Sequence, residues 1–433
     1  MLPAERIAVI VGVGEVIDRP AQLIEGLEPI ALMELALRHA EKDAGCALLP
    51  GIDALDIVNE VSWPYPDAPG LLCKRLGITP RHSHYGEVGG ESPVRFIHEA
   101  ALRIARGESQ VAAIVGAEST HTVSKAQKTG VTLPWTPAAS NPVITRGKDL
   151  VHPLSLRHGI FSPVTIYPLY ENASAAAWGQ TPQQARDESG SLWQRFAQVA
   201  ALNPYAWSRS CPLAADIVTP GPNNRLIAWP YTKQMVANPM VNQGAAILLT
   251  SLARAQALGI PIQRLVFVHA GAAAREPGDY LARAQFQHSD AQDVVLETVV
   301  DTVGGDALAF SDLELYSCFP CVPKMARRTL GLDEDVEPSV TGGLSFFGAP
   351  LNNYMTHAAA AMVRRLRERA DGLGLLYGQG EFVTKHHALV LGTQPPVKAL
   401  IQAYNVQAQV DVRCGHVPAL LEHYEGPDRK SVV

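Results

Sequence analysis

Short apolar runs and longer segments with a helical spacing of apolar residues alternate along most of this chain. A run of about four to eight apolar residues predicts a buried strand, whereas apolar residues three and four apart predict an amphipathic helix. By these criteria the first part of the chain predicts strands at 7–13, 52–61 and 111–115 and helices at 29–42 and 71–76. Such alternation is typical of mixed or parallel sheets covered by helices.

A glycine-rich elbow precedes the most regular helix of the first half. Residues 85–93 read Tyr-Gly-Glu-Val-Gly-Gly-Glu-Ser-Pro, and apolar residues recur at helical spacing from Phe96 to Ile104. Ser92 is predicted as the N-cap, and Pro93 suits the first helical position. Glycines before a helix let the backbone approach a ligand and present N–H groups to negative charge. For the glycines alone, a tight turn without a ligand is the better explanation.

The second half of the chain repeats this order of elements. A strand begins at 265–269, a second glycine-rich elbow occupies 342–350, and a helix is predicted at 352–369. The remaining predicted elements are strands at 312–315 and 373–377, the latter followed by Gly378 and Gly380. The repetition predicts two similar halves.

Two regions depart from this alternation. Residues 121–237 are rich in proline, tryptophan, tyrosine and asparagine, yet helical spacing persists at 162–180 and 182–202. A structureless loop of that length is implausible, so we predict an inserted subdomain with its own helices. Near the end, residues 406–412 alternate like a half-exposed strand, and residues 422–433 are polar.

Composition excludes several classes of function. The 433 residues are 47% hydrophobic and 18% charged with a net charge of −6, which is typical of a globular protein and gives no sign of a nucleic-acid partner. No apolar run approaches the roughly 18 residues that a membrane span needs. Glu5 and Arg6 precede the first strand, so no signal peptide is predicted. Six scattered cysteines suit a reducing compartment, and we expect a cytoplasmic protein.

Several of these segments resemble motifs of the thiolase superfamily. The first elbow, with Gly116-Ala117-Glu118 at the end of the next strand, resembles the thiolase nucleophile loop. Residues 239–252, which contain Asn-Gln-Gly-Ala-Ala, resemble the segment where a thiolase Asp-Gly-Ala-Ala turn enters a strand. The order of motifs over 7–392 is most similar to the branch related to sterol-carrier-protein thiolases, often named acetyl-CoA acetyltransferase.

The resemblance implies an architecture. It predicts an α/β thiolase fold, a five-layered α-β-α-β-α sandwich made of two similar halves. The halves would be residues 1–264 and 265–395, with the insertion at about 121–237 covering the active site and holding coenzyme A. Residues 396–433 would be the start of a truncated extra β-domain.

The resemblance also shows where this chain lacks thiolase groups. Thiolase chemistry needs an acyl-accepting cysteine, an activating histidine and a second cysteine. The positions that match the nucleophile are Gly90 and Glu91, and Ala349 stands where the family's Gly-His-Pro turn has histidine. No cysteine lies between Asp371 and Pro395, where the second is expected. Because such groups work as a unit, we predict that the standard thiolase cycle is lost.

Tyr316 is the leading candidate for remaining chemistry. It begins the segment Tyr316-Ser317-Cys318-Phe319, which matches the family's Asn-Glu-Ala-Phe motif, and a tyrosine there resembles thiolase-like aldolases with a phenol as acid/base. The alternative is a core tyrosine whose hydroxyl bonds to backbone. Ser92 is a weaker candidate nucleophile, because no base is placed beside it. The Cys318–Cys321 spacing does not favour zinc or disulfide exchange, although a helix N-terminus could lower the pKa of a thiol there.

Further residues are predicted near the pocket. The predicted backbone or oxyanion positions are Gly89, Gly343, Gly348, Gly378 and Gly380, and the predicted neighbouring side chains are Cys318, His357, Lys385 and His386. A satisfied helix histidine would explain His357, and an ordinary strand would explain the Lys-His-His run. The basic residues of the insertion that could meet phosphates are Lys125, Lys128, Arg146, Lys148 and Arg157, with scattered surface charges as the alternative.

Three functional hypotheses follow. The first is a thiolase-fold protein that binds acyl-CoA or another thioester, with no tightly bound cofactor and no metal. The second is a carbon–carbon lyase or transferase of retro-aldol or Claisen type that uses Tyr316. The third is a non-catalytic subunit of a larger assembly. A homodimer or a small OB-like partner domain is the predicted macromolecular partner, with neither nucleic acid nor membrane.

Overall fold

The computed structural model describes residues 2–142, 144–421, 423 and 426. The first elements are β1 (Ala8–Ile17), α1 (Pro29–Ala44), β2 (Ala54–Ile57), α2 (Ala68–Leu76), β3 (His82–Tyr85), α3 (Ser92–Arg106) and β4 (Val111–Ser119). The insertion follows with α4 (Thr120–Thr129), α5 (Pro153–Arg157), α6 (Pro163–Ala177), α7 (Pro182–Leu202), α8 (Ala214–Val218), β5 (Leu226–Ala228) and β6 (Tyr231–Thr232). The chain continues with β7 (Asn242–Ser251), α9 (Leu252–Ala257), β8 (Val266–Arg275), α10 (Asp290–Thr302), β9 (Asp312–Leu315), α11 (Cys321–Thr329), α12 (Tyr354–Arg367), β10 (Leu373–Gly380), β11 (Lys385–Gly392) and α13 (Gln407–Cys414).

Two half-sheets meet at a narrow junction. The strand order is β3-β2-β4-β7-β1 in the first half and β8-β11-β10-β9 in the second. Only Val9–Phe267 and Ile10–Val266 pair across β1 and β8, so the ladder is continuous there but short. In each half the parallel pairing involves the outer strands, with β2 parallel to β3 and β4, and β9 parallel to β10.

The helices form three layers around these half-sheets, as predicted. The central helices α3 and α12 contact each other, and each also contacts strands of both half-sheets. Helix α1 covers the outer face of the first half-sheet, and α10 covers that of the second. Strand β1 is buried on both faces, since Val9 packs under α1 while Ile10 packs in the inner core. The fold is therefore the five-layered thiolase sandwich.

The insertion packs its own helices over the second half. Trp193 and Phe196 of α7 are buried, and the α7 helix contacts the turn at Gly343–Phe347. Lys324 of α11 pairs with Glu171 of α6 in the interior, which ties the insertion to the second half. Among the residues that the structure describes, no helix combines the length and the apolar character that a membrane crossing requires.

The strand predicted at 406–412 is wrong. This segment forms helix α13, in which Val410 is buried while Val412 is 84% exposed. Val406 and Val410 are four residues apart, so a helix buries both of them on one face, although the alternating valines also fit a strand. Just before the helix, Asn405 makes a bridge to a strand, at Ala273 of β8. The prediction for 422–433 falls, apart from 423 and 426, outside the described residues.

Candidate functional site

An apolar cavity of about 530 Å³ lies between the first elbow, the insertion and the second half. The elbow contributes Val88, Gly89 and Gly90, and the segment after β9 contributes Tyr316, Cys318 and Phe319. The rest of the lining is Val61, Thr145, Arg146, Gly147, Leu150, Ser162, Pro163, Val164, Tyr167, Val236, Ala237, Pro239, Leu344, Ala349, Leu351, Asn352, Gln379, Glu381 and Phe382. The cavity thus brings together Gly90, Tyr316 and Ala349, which the sequence placed in separate motifs.

Tyr316 occupies the space in front of the elbow. A Cβ atom on Gly90 would lie 2.4 Å from the Tyr316 hydroxyl oxygen and 2.5 Å from the Gln379 carbonyl oxygen. The elbow residue therefore cannot carry a side chain while Tyr316 keeps this position. The elbow and β9 come from different halves, and the central helix layer brings them together.

The Tyr316 hydroxyl is free to meet a ligand. The residue is only 7% exposed, yet its hydroxyl makes no hydrogen bond to any residue that the structure describes. The alternative of a core tyrosine bonded to backbone is therefore not what the structure shows. Burial, with smaller contributions from Cys318 and Glu91, holds the pKa of the Tyr316 hydroxyl well above its ordinary value. The phenol is thus neutral at pH 7 and available as a proton donor.

Glu91 lies behind the elbow instead of in the cavity. Its side chain contacts Gly380, where a Cβ would lie 2.0 Å from the Glu91 Oε2 atom, and it lines a separate polar cavity of about 180 Å³. Burial raises the pKa of this carboxyl, and Oε2 has no hydrogen-bond partner among the described residues. Gly378 approaches the backbone of Glu91, with a distance of 3.0 Å from its added Cβ to the Glu91 Cα. These glycines let β10 pack against the elbow.

The prediction that Ser92 caps α3 is wrong. The helix begins at Ser92, and the preceding Glu91 has helical backbone angles. The Ser92 hydroxyl is fully buried and donates a 2.7 Å hydrogen bond to the Gly89 carbonyl oxygen. This hydroxyl closes the elbow turn and does not line the cavity. It therefore stabilises the turn and is not placed to act as a nucleophile.

The backbone donors of the cavity are fewer than predicted. The Gly89 N–H already donates to Asn352 Oδ1 at 3.0 Å, whereas the Gly90 N–H has no acceptor among the described residues. Gly343 and Gly348 do not line the cavity. Both have positive φ angles, 74° and 113°, in a tightly packed turn. The candidate oxyanion donor is therefore the Gly90 N–H.

Cys318 faces the cavity with an unreactive thiol. Burial raises its pKa to about 12, so the lowered thiol pKa considered from the sequence is wrong. The reason is that Cys318 precedes α11 inside the apolar interior, with its Sγ 3.6 Å from Gln379 Oε1. Cys321 is also buried and reduced.

The three cationic or imidazole candidates lie outside the cavity. His357 Nδ1 is 2.6 Å from Glu15 Oε1 in the central layer. Lys385 donates to the Val88 carbonyl oxygen at 2.9 Å and pairs with Glu381 at 2.6 Å, so it supports the elbow from behind. His386 bonds the Tyr377 hydroxyl at 2.7 Å, and burial lowers its pKa to about 4.

Only one of the five basic residues of the insertion reaches the cavity. Arg146 lies at the mouth, is exposed, and forms no ion pair with the described residues. The other four do not line the cavity. Within the described part of the chain, the mouth therefore offers one cation without an ion-pair partner, next to Thr145.

Sequence reasoning missed most side chains of the cavity wall, including four with polar or aromatic groups. Tyr167 donates to the Glu381 carbonyl oxygen at 2.7 Å and stacks on Phe319. Gln379, Asn352 and Phe382 come from the second half and were not singled out. The glycines flanking Gln379 were the available signal, since they marked that strand end as a close approach.

One cluster outside the cavity has side chains close enough to hold a metal ion. Among the described residues it consists of His288, Asp290 and Asp293 at the start of α10. Arg413 of α13 pairs with both carboxylates, at 3.2 and 3.6 Å. The carboxylates therefore already have a cationic partner, which docks α13 on α10.

Similarity to known proteins is found at the level of structure. No protein-family model matches the sequence, and no curated protein matches it. The SCP2-thiolase-like protein type 1 of Mycobacterium smegmatis, described as monomeric, superposes with a TM-score of 0.80 at 28% identity, over 95% of this chain and 82% of its own. The Ltp2-ChsH2(DUF35) aldolase superposes with 0.69 at 17% identity, over 90% and 98%. Human mitochondrial 3-ketoacyl-CoA thiolase gives 0.65 at 13%, over 90% and 99%.

These superpositions agree with the layered fold. The chain therefore has the thiolase fold, and it is similar to the SCP2-thiolase-like branch of the thiolase superfamily.

Proposed function

We propose that this protein binds an acyl-CoA or a related thioester in the elbow cavity and does not run the thiolase cycle. The observation that carries the proposal is the pairing of Gly90 with Tyr316, which leaves no room for a side chain at the elbow. An apolar interior fits an acyl group, and Arg146 at the mouth fits a phosphate.

The chemistry of the lining supports binding without acyl transfer. No histidine lines the cavity among the described residues, and Ala349 cannot move a proton. The one thiol there, Cys318, has its pKa raised to about 12, so almost none of it is thiolate at neutral pH. A covalent acyl intermediate of the thiolase type therefore lacks both its thiolate nucleophile and its imidazole base among the described residues.

Isothermal calorimetry with acetyl-CoA and free coenzyme A tests the proposal. We expect saturable binding, weakened about fivefold in Arg146→Ala, because a single exposed charge contributes at most about 1 kcal/mol. Lys125→Ala is the matched control, since Lys125 is a basic residue of the insertion that does not line the cavity. Absence of binding up to millimolar ligand would contradict the proposal.

Mass spectrometry separates binding from acyl transfer. After incubation with acetyl-CoA the intact protein is expected to keep its mass. An added acetyl group, mapped by peptide digestion to the elbow or to Cys318, would show that acyl transfer persists.

The free hydroxyl of Tyr316 favours a second candidate, a carbon–carbon lyase of retro-aldol type. In such a reaction the β-hydroxyl loses its proton, the Cα–Cβ bond breaks, and a carbonyl compound leaves the thioester behind as an enolate. The Gly90 N–H would donate to the enolate oxygen. The neutral Tyr316 hydroxyl would give its proton to the enolate carbon and regain, through water, the proton that the β-hydroxyl released. The aldolase relative is named with a DUF35 partner, so a small partner domain would be included in the assay.

The Tyr316→Phe variant tests this second candidate on β-hydroxyacyl-CoA thioesters. Loss of one general acid lowers turnover by about 10²–10⁴-fold, while thioester binding is kept because the ring remains. Unchanged turnover in Tyr316→Phe would exclude Tyr316 as the acid. A wild-type protein that binds but never turns over would leave the non-catalytic proposal standing.

A further inference from the structure

Unusual backbone conformations concentrate around the elbow cavity. In the described part of the chain, the non-glycine residues with positive φ are Leu351 at 44°, Glu381 at 57° and Val383 at 56°. Leu351 and Glu381 line the cavity, and Val383 follows the lining residue Phe382. A positive φ is a rare outlier for a β-branched residue such as Val383. Such conformations persist only where surrounding contacts impose them, and they cluster at functional sites.

Arg283 holds the turn that contains two of these residues. The turn joins β10 to β11, and the Arg283 guanidinium donates to the carbonyl oxygens of Phe382 at 2.7 Å and Val383 at 3.0 Å. It also donates to Thr384 Oγ1 at 2.7 Å. Because one planar group with fixed geometry serves three acceptors, the turn has a single well-defined position.

Two tyrosines of α6 complete this support. The Tyr167 hydroxyl donates to the Glu381 carbonyl oxygen at 2.7 Å, and the Tyr170 hydroxyl donates to the Phe382 carbonyl oxygen at 3.2 Å. The carbonyls of Glu381, Phe382 and Val383 therefore all have partners outside the turn. Val383 of this turn is also fully buried.

The result is a fixed position for the Phe382 ring. Phe382 lines the cavity and is 3% exposed. Its ring tip lies against Gly147 of the insertion, where an added Cβ would be 3.1 Å from the ring. Gly147 is next to Arg146 at the cavity mouth, so the ring spans from the β10–β11 turn to the insertion.

We infer that Phe382 sets the largest acyl group that the cavity admits, and that Arg283 is a positioning residue that holds Phe382 by clamping its turn. The inference rests on the proposed thioester binding. The substrate class is then a thioester of an apolar acyl group, limited in length or width by an aromatic wall with little freedom to move.

Calorimetry with saturated acyl-CoA thioesters from acetyl to palmitoyl tests this inference. Wild type is expected to bind more tightly as the chain grows and then to lose affinity beyond one length. In Phe382→Ala the tightest binding moves to longer chains, and each further methylene that is accommodated improves affinity about fourfold. Phe382→Leu should give an intermediate shift, which keeps the test valid if the alanine variant unfolds.

Arg283→Met tests the positioning role. It should flatten the dependence of affinity on chain length without moving the optimum as far as Phe382→Ala, because the turn loses its clamp but the ring remains. Phe310→Ala is the control, since Phe310 is a buried phenylalanine outside the cavity. It should lower the melting temperature and leave the chain-length optimum unchanged.

The outcomes distinguish the two claims. Wild type that binds no thioester of the series overturns the proposed function and this inference together. Wild type that binds, with the same optimum in Phe382→Ala and Phe382→Leu, overturns the inference alone. A chain-length profile in Arg283→Met identical to that of wild type overturns the positioning role.

Discussion

At the scale of single residues, the contact between Gly90 and Tyr316 defines the site. A methyl group at position 90 would collide with the Tyr316 hydroxyl and with the Gln379 carbonyl oxygen, and the latter is backbone that cannot rotate away. We therefore expect Gly90→Ala to lower the free energy of unfolding by about 1–3 kcal/mol, as overpacking of a filled site does. Urea denaturation would measure the change.

A second glycine provides the control for this prediction. Gly221 has no atom within 4 Å of an added Cβ, so Gly221→Ala should change stability by less than about 0.5 kcal/mol. Equal stability of Gly90→Ala and wild type would mean that the elbow can move away from Tyr316. In that case the space for an elbow side chain would exist after all.

The sequence indicated both residues of this contact but not the contact itself. The glycine-rich elbow and the tyrosine after β9 each belong to a recognisable segment, so local pattern was sufficient to select them. Phe382 and Tyr167 gave no such signal, because their role depends on a turn geometry and on a helix of the insertion. Those contacts arise only when the halves pack, which no local spacing encodes.

At the scale of elements, a buried ion pair joins the insertion to the second half. Lys324 of α11 and Glu171 of α6 are both almost fully buried, and Glu171 also accepts a hydrogen bond from Tyr231 at 2.9 Å. Removing one partner leaves the other charge without compensation in the interior. Lys324→Met is therefore expected to cost about 3–5 kcal/mol of unfolding free energy.

The double variant identifies the cause. Lys324→Met combined with Glu171→Gln removes both charges, and it should recover most of the stability that the single variant loses. Lys148→Met is the control, since Lys148 is exposed and lies on the same insertion. Equal losses in the single and double variants would show that packing, not charge, links α6 to α11.

Predictability from sequence also differs between elements. The helices predicted at 29–42 and 182–202 are found as α1 and α7, because each has a long apolar face and a proline at its first turn. The segment 406–412 was misassigned because its valines fit both periodicities. The backbone of Ala273 on β8 forms hydrogen bonds with the backbone of Tyr404 and of Val406. The residues that follow then pack against α10 as a helix instead of pairing at a sheet edge.

At the scale of the whole molecule, the repeated order of elements predicted two halves, and the resemblance to thiolases predicted five layers. The narrow junction of β1 with β8 was not predictable, since pairing of two residues leaves no pattern in either strand. The halves are held together mainly by the central layer, where polar groups from both are buried. These include titratable groups, so the stability of the assembled halves depends on pH.

Buried histidines lower the stability of the fold at acidic pH. His98 of α3 and His387 of β11 lie with Nδ1 and Nε2 2.9 Å apart, and burial lowers the pKa of His98 to about 3 and that of His387 well below its usual value. Histidines whose pKa is lowered on folding make their full contribution to the stability of the fold at pH values above the ordinary imidazole pKa of 6.5. That stabilisation is lost as the pH falls through the interval from about 6.5 towards the folded-state pKa values.

A buried carboxyl group lowers the stability of the fold as the pH rises. Burial raises the pKa of Glu314 on β9 from 4.5 to about 7, so its stabilising effect is complete below pH 4.5 and is lost as the pH rises through 7. Glu314→Gln removes the titration but keeps hydrogen bonds, because the Tyr354 and Thr341 hydroxyls can accept from the new amide. As the pH rises from 5 to 8, the free energy of unfolding of the variant should increase relative to that of wild type by on the order of 1–3 kcal/mol. Denaturant unfolding would measure this difference. Asp301→Asn is the control, since Asp301 lies on the exposed side of α10. If the difference in unfolding free energy between Glu314→Gln and wild type stayed constant over this pH range, Glu314 would already be ionised in the folded protein.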